Sequence, residues 1–194
     1  MTIDSNPPIT IILPTYERAR YLREALDSAL AQTYTNFVLS IGDNSGNDET
    51  EKVVRSYDDP RIRYTRHAEN RGQQGNWLWL IETAETPFIA SLHDDDVWEP
   101  NFLEDLLPLI EDDPSVSMVF SDAMLIDADS RPIDPDTSQL SARTHRDRLP
   151  AGKLELNRAE TLRLVAVWNS PQPAFCAIVR RDAVQATEFP EAID

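Results

Sequence analysis

The sequence predicts an α/β fold, a mainly parallel sheet covered by helices, and three observations predict it. Short apolar runs begin near residues 9, 37, 62, 88 and 116, about 25 to 28 residues apart, the length of a strand–helix–strand unit. Between them the apolar positions recur at helical spacing. Nearly every run empties into polar or ionisable residues, as loops do at the carboxyl ends of an open sheet that binds a ligand.

The first run, ITIIL at residues 9–13, is continuous and β-branched and reads as a buried strand ended by Pro14. Thr15-Tyr16-Glu17-Arg18 is a polar turn. Leu22, Ala25, Leu26, Ala29 and Leu30 then mark one face of an amphipathic helix. Phe37 to Ile41 is the second strand, Gly42 to Gly46 a turn, and residues 48–57 a second helix. A third strand at Ile62 to Tyr64 leads into the polar stretch His67 to Gln74, and Trp77, Leu80, Ile81 and Ala84 mark a third helix.

The fourth strand, Phe88 to Leu92, runs into His93-Asp94-Asp95-Asp96, and Pro100 suits the first turn of a following helix. That helix carries Phe102, Leu103, Leu106, Leu107 and Ile110 and is expected to kink or break near Pro108. Val116 to Phe120 is the fifth strand. Residues 129–157, rich in proline and polar residues, read as a long loop. A helix around Arg158 to Val167, a polar WNSPQP turn and a strand-like run from Phe175 to Val179 follow.

A chain of 194 residues suits one domain, 1–194. With 41% hydrophobic and 27% charged residues, it has an ordinary globular composition. No apolar run is long enough for a membrane span, and no basic, apolar leader opens the chain, so the expected location is cytoplasmic. The net charge of -16 argues against a nucleic-acid partner, which would demand basic residues against phosphates. Cys176, the single cysteine, lies in the apolar run FCAIV and reads as a small buried hydrophobe.

The chemistry centres on Asp94, Asp95 and Asp96, adjacent carboxylates whose mutual repulsion needs compensation. Such a group at a strand end suits Mg²⁺ or Mn²⁺, which prefer oxygen ligands and keep places for substrate phosphate. The alternative is a solvated acidic turn capping the next helix. Residues 43–54 are not a calcium loop, since Asp48 stands where the sharp turn wants glycine and Val54 where a bidentate Glu is needed. No G-x-G-x-x-G or GK[ST] follows the first strand, so side chains and metal must hold any nucleotide. His67, His93 and His145 lack zinc-site spacing, and His93 is the one placed to tune the acids.

Three stretches, ITIILPTYERARYLREALDSALAQTYTNFVLSIGDNS, ENRGQQGNW and HDDDVWEP, together resemble the family 2 glycosyltransferases with a GT-A, Rossmann-like fold, over about residues 8–127. The resemblance implies an inverting, divalent-metal-dependent transferase. Its donor would be a nucleotide-diphosphate sugar, its cofactor Mn²⁺ or Mg²⁺, and its acceptor a hydroxyl of a saccharide, lipid-linked or other molecule. Thr15, Tyr16 and Glu17, with Arg18 nearby, match the segment that cradles base and ribose. Asp43 matches the acid that reads the base, and Asn70, Gly72 and Asn76 match the loop that approaches nucleoside and diphosphate. The aspartate triplet matches the DxD region: Asp95 as metal ligand, Asp94 on ribose or metal, Asp96 in support.

The chain departs from the family pattern in places. His93 stands where many relatives have the first Asp of DxD, and Trp77-Leu78 where many have Arg-Asn. The catalytic base is expected in an acidic motif just after FPEAID, where the chain stops, so Glu191 or Asp194 fills that role or the base lies beyond. On this reading residues 8–127 bind the nucleotide sugar and 128–194 begin an incomplete acceptor-binding part. A sugar nucleotidyltransferase and a non-catalytic nucleotide-sugar-binding domain stand as alternatives.

Overall fold

The computed structural model describes residues 7–124, 126–133, 155, 157 and 176–186. The chain divides into two compact units, Met1–Phe120 with Ala177–Asp194, and Ser121–Cys176. The first holds a six-stranded sheet. Its strands are β1 (Ile9–Thr15), β2 (Phe37–Asp43), β3 (Ile62–Arg66), β4 (Phe88–Ser91), β5 (Met118–Phe120) and β6 (Ala177–Arg180). Its helices are α1 (Ala19–Leu30), α2 (Glu49–Arg55), α3 (Gly72–Thr83), α4 (Phe102–Glu111) and α5 (Arg181–Gln185).

The expected α/β fold is observed, with a mixed, mostly parallel sheet in the order β3-β2-β1-β4-β6-β5. β1 pairs in parallel with β2 and β4, and β2 with β3. β6 is antiparallel to both β4 and β5 and lies between them. The fifth strand therefore does not adjoin the fourth.

β1 is central and buried on both faces, with Ile9, Ile11, Ile12 and Leu13 fully enclosed. Each such side chain contributes roughly 1.5–3 kcal/mol of apolar burial. β1 and β2 outrun their apolar cores by two residues, because the parallel ladder continues through Pro14↔Gly42 to Thr15↔Asp43. Pro14 is tolerated there because alternation along the ladder turns its nitrogen toward β4, which has already ended opposite Ile12. The strands thus carry Thr15 and Asp43 to the edge of the sheet.

Leu22, Ala25, Leu26 and Ala29 form the buried face of α1, as their spacing predicts. The buried residues of α4 are likewise the five expected ones, but the helix runs without a break through Pro108. Pro108 lies at an exposed position, off the buried face of the helix. α3 starts at Gly72, ahead of its apolar face; Leu80 and Ile81 pack with Ile12, Ala84 and Ile89.

In the second unit the described residues include a turn in which Asp127 N–H donates to Arg131 O (2.8 Å), with a bridge between Ile126 and Pro132. Most of the expected loop at 129–157, the helix around Arg158 to Val167, the WNSPQP turn and Phe175 lie outside the described residues. So do Glu191 and Asp194. Among the described residues, no helix is long and apolar enough to cross a membrane.

Candidate donor-binding site

The turn leaving β1 is set by hydrogen bonds to two other loops. Thr15 Oγ1 donates to Asp94 Oδ2 at 2.7 Å. Glu17 then adopts a left-handed conformation (φ 54°), uncommon for a residue with a side chain, and its N–H donates to Ser45 Oγ at 2.9 Å. This bend leaves Tyr16 50% exposed and brings Arg18, the residue preceding α1, over the acidic loop. A strained backbone at a ligand-facing loop is the expected place for such a cost.

At the end of β2, Asp43 is fully buried; its Oδ1 accepts Ser45 N–H (2.8 Å) and its Oδ2 the Tyr64 hydroxyl (2.7 Å). Asn44 clips three loops together. Its N–H donates to Thr15 O (3.0 Å), its Nδ2 to Gly72 O (3.0 Å), and its Oδ1 accepts Arg71 N–H (3.1 Å). Asn70 Oδ1 accepts Gly72 N–H at 2.8 Å, and Gly72 takes the positive φ of 72° that glycine adopts without strain.

Asn76 is buried, with Nδ2 donating to Gly42 O (2.7 Å) and Oδ1 2.9 Å from His67 Nε2. The His67 ring meets the Trp79 ring edge-on at 4.6 Å. A cleft of about 400 Å³ is lined by His67, Ala68, Glu69, Asn70 and Arg71. Here side chains perform the loop-shaping that a glycine-rich cradle would otherwise do.

The acidic loop leaves β4 and is pinned at its exit by Gln32, whose Nε2 donates to Glu99 O (2.8 Å) and whose Oε1 accepts Leu103 N–H in the first turn of α4 (3.0 Å). Trp98 stacks on Phe102, ring centroids 4.2 Å apart. Asp94, 6% exposed, turns inward to Thr15, whereas Asp95 is exposed and Asp96 half-buried. Burial pushes the Asp94 carboxyl up from its ordinary pKa, opposed by the Thr15 hydrogen bond and the Arg18 charge. Burial likewise raises Asp96, against the pull of His93.

His93, Asp95 and Asp96 each offer one ligand atom, all within 4.8 Å of one another. Two carboxylates and an imidazole suit Mn²⁺ or Mg²⁺ chemically, and the guanidinium of Arg18 lies on Asp95 as a stand-in cation. The three-acid group expected from sequence is thus divided: Asp95 and Asp96 share a cluster with His93, and Asp94 is turned toward β1.

Of the residues singled out in the sequence, Thr15, Tyr16, Glu17, Arg18, Asp43, Asp94 and Asp95 are joined by one hydrogen-bonded set of loops. Gly72 joins it through Asn44, and Asn70 through its bond to Gly72 N–H. Asn76 faces Gly42 and His67 in the interior, so its polar atoms shape the loop from beneath. Sequence reasoning put Asn44 beside Asp43 at a strand end without a role, and missed Ser45 and Tyr64 as parts of this set. The strand register contained a signal for Tyr64, since Tyr64 pairs with Ile41 and so lies diagonal to Asp43 on the same face.

Residues 10–187 match the family model described as Glycosyl transferase family 2. An uncharacterized glycosyltransferase of Rickettsia felis is 35% identical over 163 residues, covering 81% of this chain but 25% of its own length. Among solved structures, S. aureus TarS 1–349 superposes with a TM-score of 0.66 at 17% identity, over 91% of this chain and 48% of that one. The mannosyltransferase PcManGT from Pyrobaculum calidifontis, in complex with GDP-Man and Mn²⁺, gives a TM-score of 0.54 at 22% identity, over 63% and 36%. These two likenesses are of fold. The chain spans about a quarter of the length of the rickettsial relative, and its matched residues cover nearly all of the sheet and its loops. On the family match, this chain belongs to glycosyl transferase family 2.

Proposed function

We propose that the protein of which this chain is part transfers a sugar from a nucleotide-diphosphate donor to an acceptor hydroxyl, with inversion and with Mn²⁺ or Mg²⁺. The observation that carries this reading is the Thr15–Asp94 bond (2.7 Å), which sets the acidic loop against the β1 turn at the carboxyl edge of the sheet. TarS 1–349 has been solved with UDP-GlcNAc and PcManGT with GDP-Man and Mn²⁺, two donors of this chemical class.

Each residue then has a stated task. The exposed Tyr16 offers a face for the base, and Asp43, fully buried with its oxygens on the Ser45 N–H and the Tyr64 hydroxyl, is assigned to the base side of the site through those two residues. Asp95, Asp96 and His93 would hold the metal, with Asp94 oriented by Thr15 beside them. The bound cation supplies charge neutralisation on the departing diphosphate. The acceptor oxygen attacks the anomeric carbon as its bond to the phosphate oxygen breaks, and the hydroxyl proton passes to a carboxylate. Glu191, Asp194 or an acid following them is assigned that base, and residues 128–194 the acceptor side.

Calorimetric titration with UDP, GDP and dTDP, with and without Mn²⁺, tests the donor half; Asp95→Ala is expected to abolish the metal-dependent part while leaving the fold intact. Transfer or hydrolysis of the matching nucleotide sugars, by this chain and by one extended past Asp194, tests the rest. No nucleotide binding sinks the proposal, and metal-dependent binding without turnover in both chains rejects the transferase.

A further inference from the structure

Arg18 places its guanidinium on the acidic loop. Its Nη1 pairs with Asp95 Oδ2 and lies 3.5 Å from Asp94 Oδ1, while the side chain remains 51% exposed. Asp95 is also the exposed member of the His93–Asp95–Asp96 group. One carboxylate is therefore claimed by two cations, the guanidinium already on it and the divalent ion its neighbours suit. Resting on the donor-site reading above, we infer that Arg18 is a removable counter-ion: it neutralises Asp95 in the metal-free protein, is displaced by the divalent cation, and is thereby released to the anionic diphosphate.

Three features make the exchange feasible. Arg18 is anchored through its backbone, its carbonyl accepting Tyr21 N–H (3.0 Å) and Leu22 N–H (3.1 Å), so the side chain swings without unwinding α1. The pairing is solvent-exposed, which limits what its rupture costs. The bend at Glu17 holds the Arg18 backbone beside both the acids and the exposed Tyr16, where a diphosphate attached to a stacked base would lie. The electrostatics agree in direction, since Asp95 first and Asp94 second raise the Arg18 pKa.

The consequence is reciprocal coupling, because metal and nucleoside diphosphate favour the same released position of Arg18, and each therefore tightens the other. The test is calorimetric titration of Mn²⁺ into wild type, Arg18→Ala and Arg18→Lys, each with and without UDP or GDP, with thermal melts establishing that all three fold. Arg18→Ala is expected to bind Mn²⁺ alone about threefold to fivefold more tightly than wild type, the scale of an exposed ion pair, and to lose a similar severalfold part of the mutual enhancement, leaving the part owed to direct attraction between cation and diphosphate. Arg18→Lys should fall between. Equal or weaker Mn²⁺ binding by Arg18→Ala, enhancement unchanged by the substitution, or no Mn²⁺ binding by wild type overturns the inference. If neither nucleotide binds wild type, the donor-site reading fails and the coupling with it; tighter Mn²⁺ binding by Arg18→Ala would then mark the failure as one of the nucleotide site, with the metal competition intact.

Discussion

The Tyr64 hydroxyl donates a 2.7 Å hydrogen bond to Asp43 Oδ2, joining the middle of β3 to the last residue of β2. The other oxygen of Asp43 accepts Ser45 N–H, so the carboxylate is oriented at both ends before any ligand arrives. Burial, and then the Asp43 contact, push the Tyr64 pKa well above the tyrosine range, so the phenol is a donor throughout the neutral range. Tyr64→Phe leaves a fully buried carboxylate short of one donor, which costs about 1–3 kcal/mol. The urea midpoint should fall with an unchanged slope, and UDP or GDP affinity should fall while Mn²⁺ affinity alone holds. An unchanged midpoint rejects the account.

Gly42 and Asn76 should be coupled. A Cβ added at Gly42 would lie 2.3 Å from Asn76 Oδ1 and 3.2 Å from two Leu80 side-chain carbons. Gly42→Ala is therefore expected to cost about 1–3 kcal/mol by overpacking. Asn76→Ala loses the bonds to Gly42 O and His67 but vacates that space. The double variant should cost at least about 1 kcal/mol less than the two single costs added, as expected for residues in contact. Additive denaturation free energies would show that the two do not compete for space.

Asp59 offers a test by pH. Its carboxylate takes Arg61 Nε at 3.0 Å and Nη2 at 2.7 Å, and Arg61 lies over the Phe37 ring at 4.5 Å. The Arg61 hydrogen bonds hold Asp59 below the usual carboxylate pKa. A depressed folded-state pKa means that its stabilisation is present above the unfolded value and is lost as pH falls through the folded one. Asp59→Asn should thus destabilise by about 1–3 kcal/mol at pH 7, and the gap to wild type should close between about pH 5 and pH 2. A gap constant over that range, followed by chemical denaturation at each pH, contradicts it.

The elements were legible wherever one segment decides its own state. ITIIL is buried whatever pairs with it, and the α1 face from Leu22 to Ala29 has only one way to turn inward. Sheet order was not legible, because the antiparallel β6 reaches its place between β4 and β5 from more than fifty residues downstream of β5. The break expected at Pro108 does not occur: the helix continues to Glu111, and the proline sits at an exposed position off the apolar face, where a helix can forgo one hydrogen bond. In the site, residue types announced themselves: Asp94 to Asp96 at a strand end point to cations, and Thr15 and Asp43 stand at two other strand ends. What they touch depends on how three loops fold together. The inward turn of Asp94, the Asn44 clip and the Tyr64 bond follow from that packing, so spacing alone could not supply them.

Glu17 has φ 54°, a conformation that costs a residue with a Cβ roughly 1–2 kcal/mol and glycine almost nothing. Its N–H bond to Ser45 Oγ at 2.9 Å and the nearby Thr15 Oγ1 bond to Asp94 at 2.7 Å hold the turn in place against that cost. Glu17→Gly removes the strain but adds freedom to the unfolded chain, which offsets about 0.4–1 kcal/mol of the gain. Glu17→Ala keeps the strain and removes only the carboxylate, so it isolates the backbone term. Glu17→Gly should therefore be more stable than Glu17→Ala by about 0.5–1 kcal/mol in thermal or urea denaturation. It should also bind UDP or GDP more weakly than Glu17→Ala, because glycine relaxes the bend that positions Tyr16 and Arg18. A glycine variant less stable than the alanine variant by about 0.4–1 kcal/mol would mean that the turn stores no strain. Stronger nucleotide binding by the glycine variant would mean that the bend opposes the ligand.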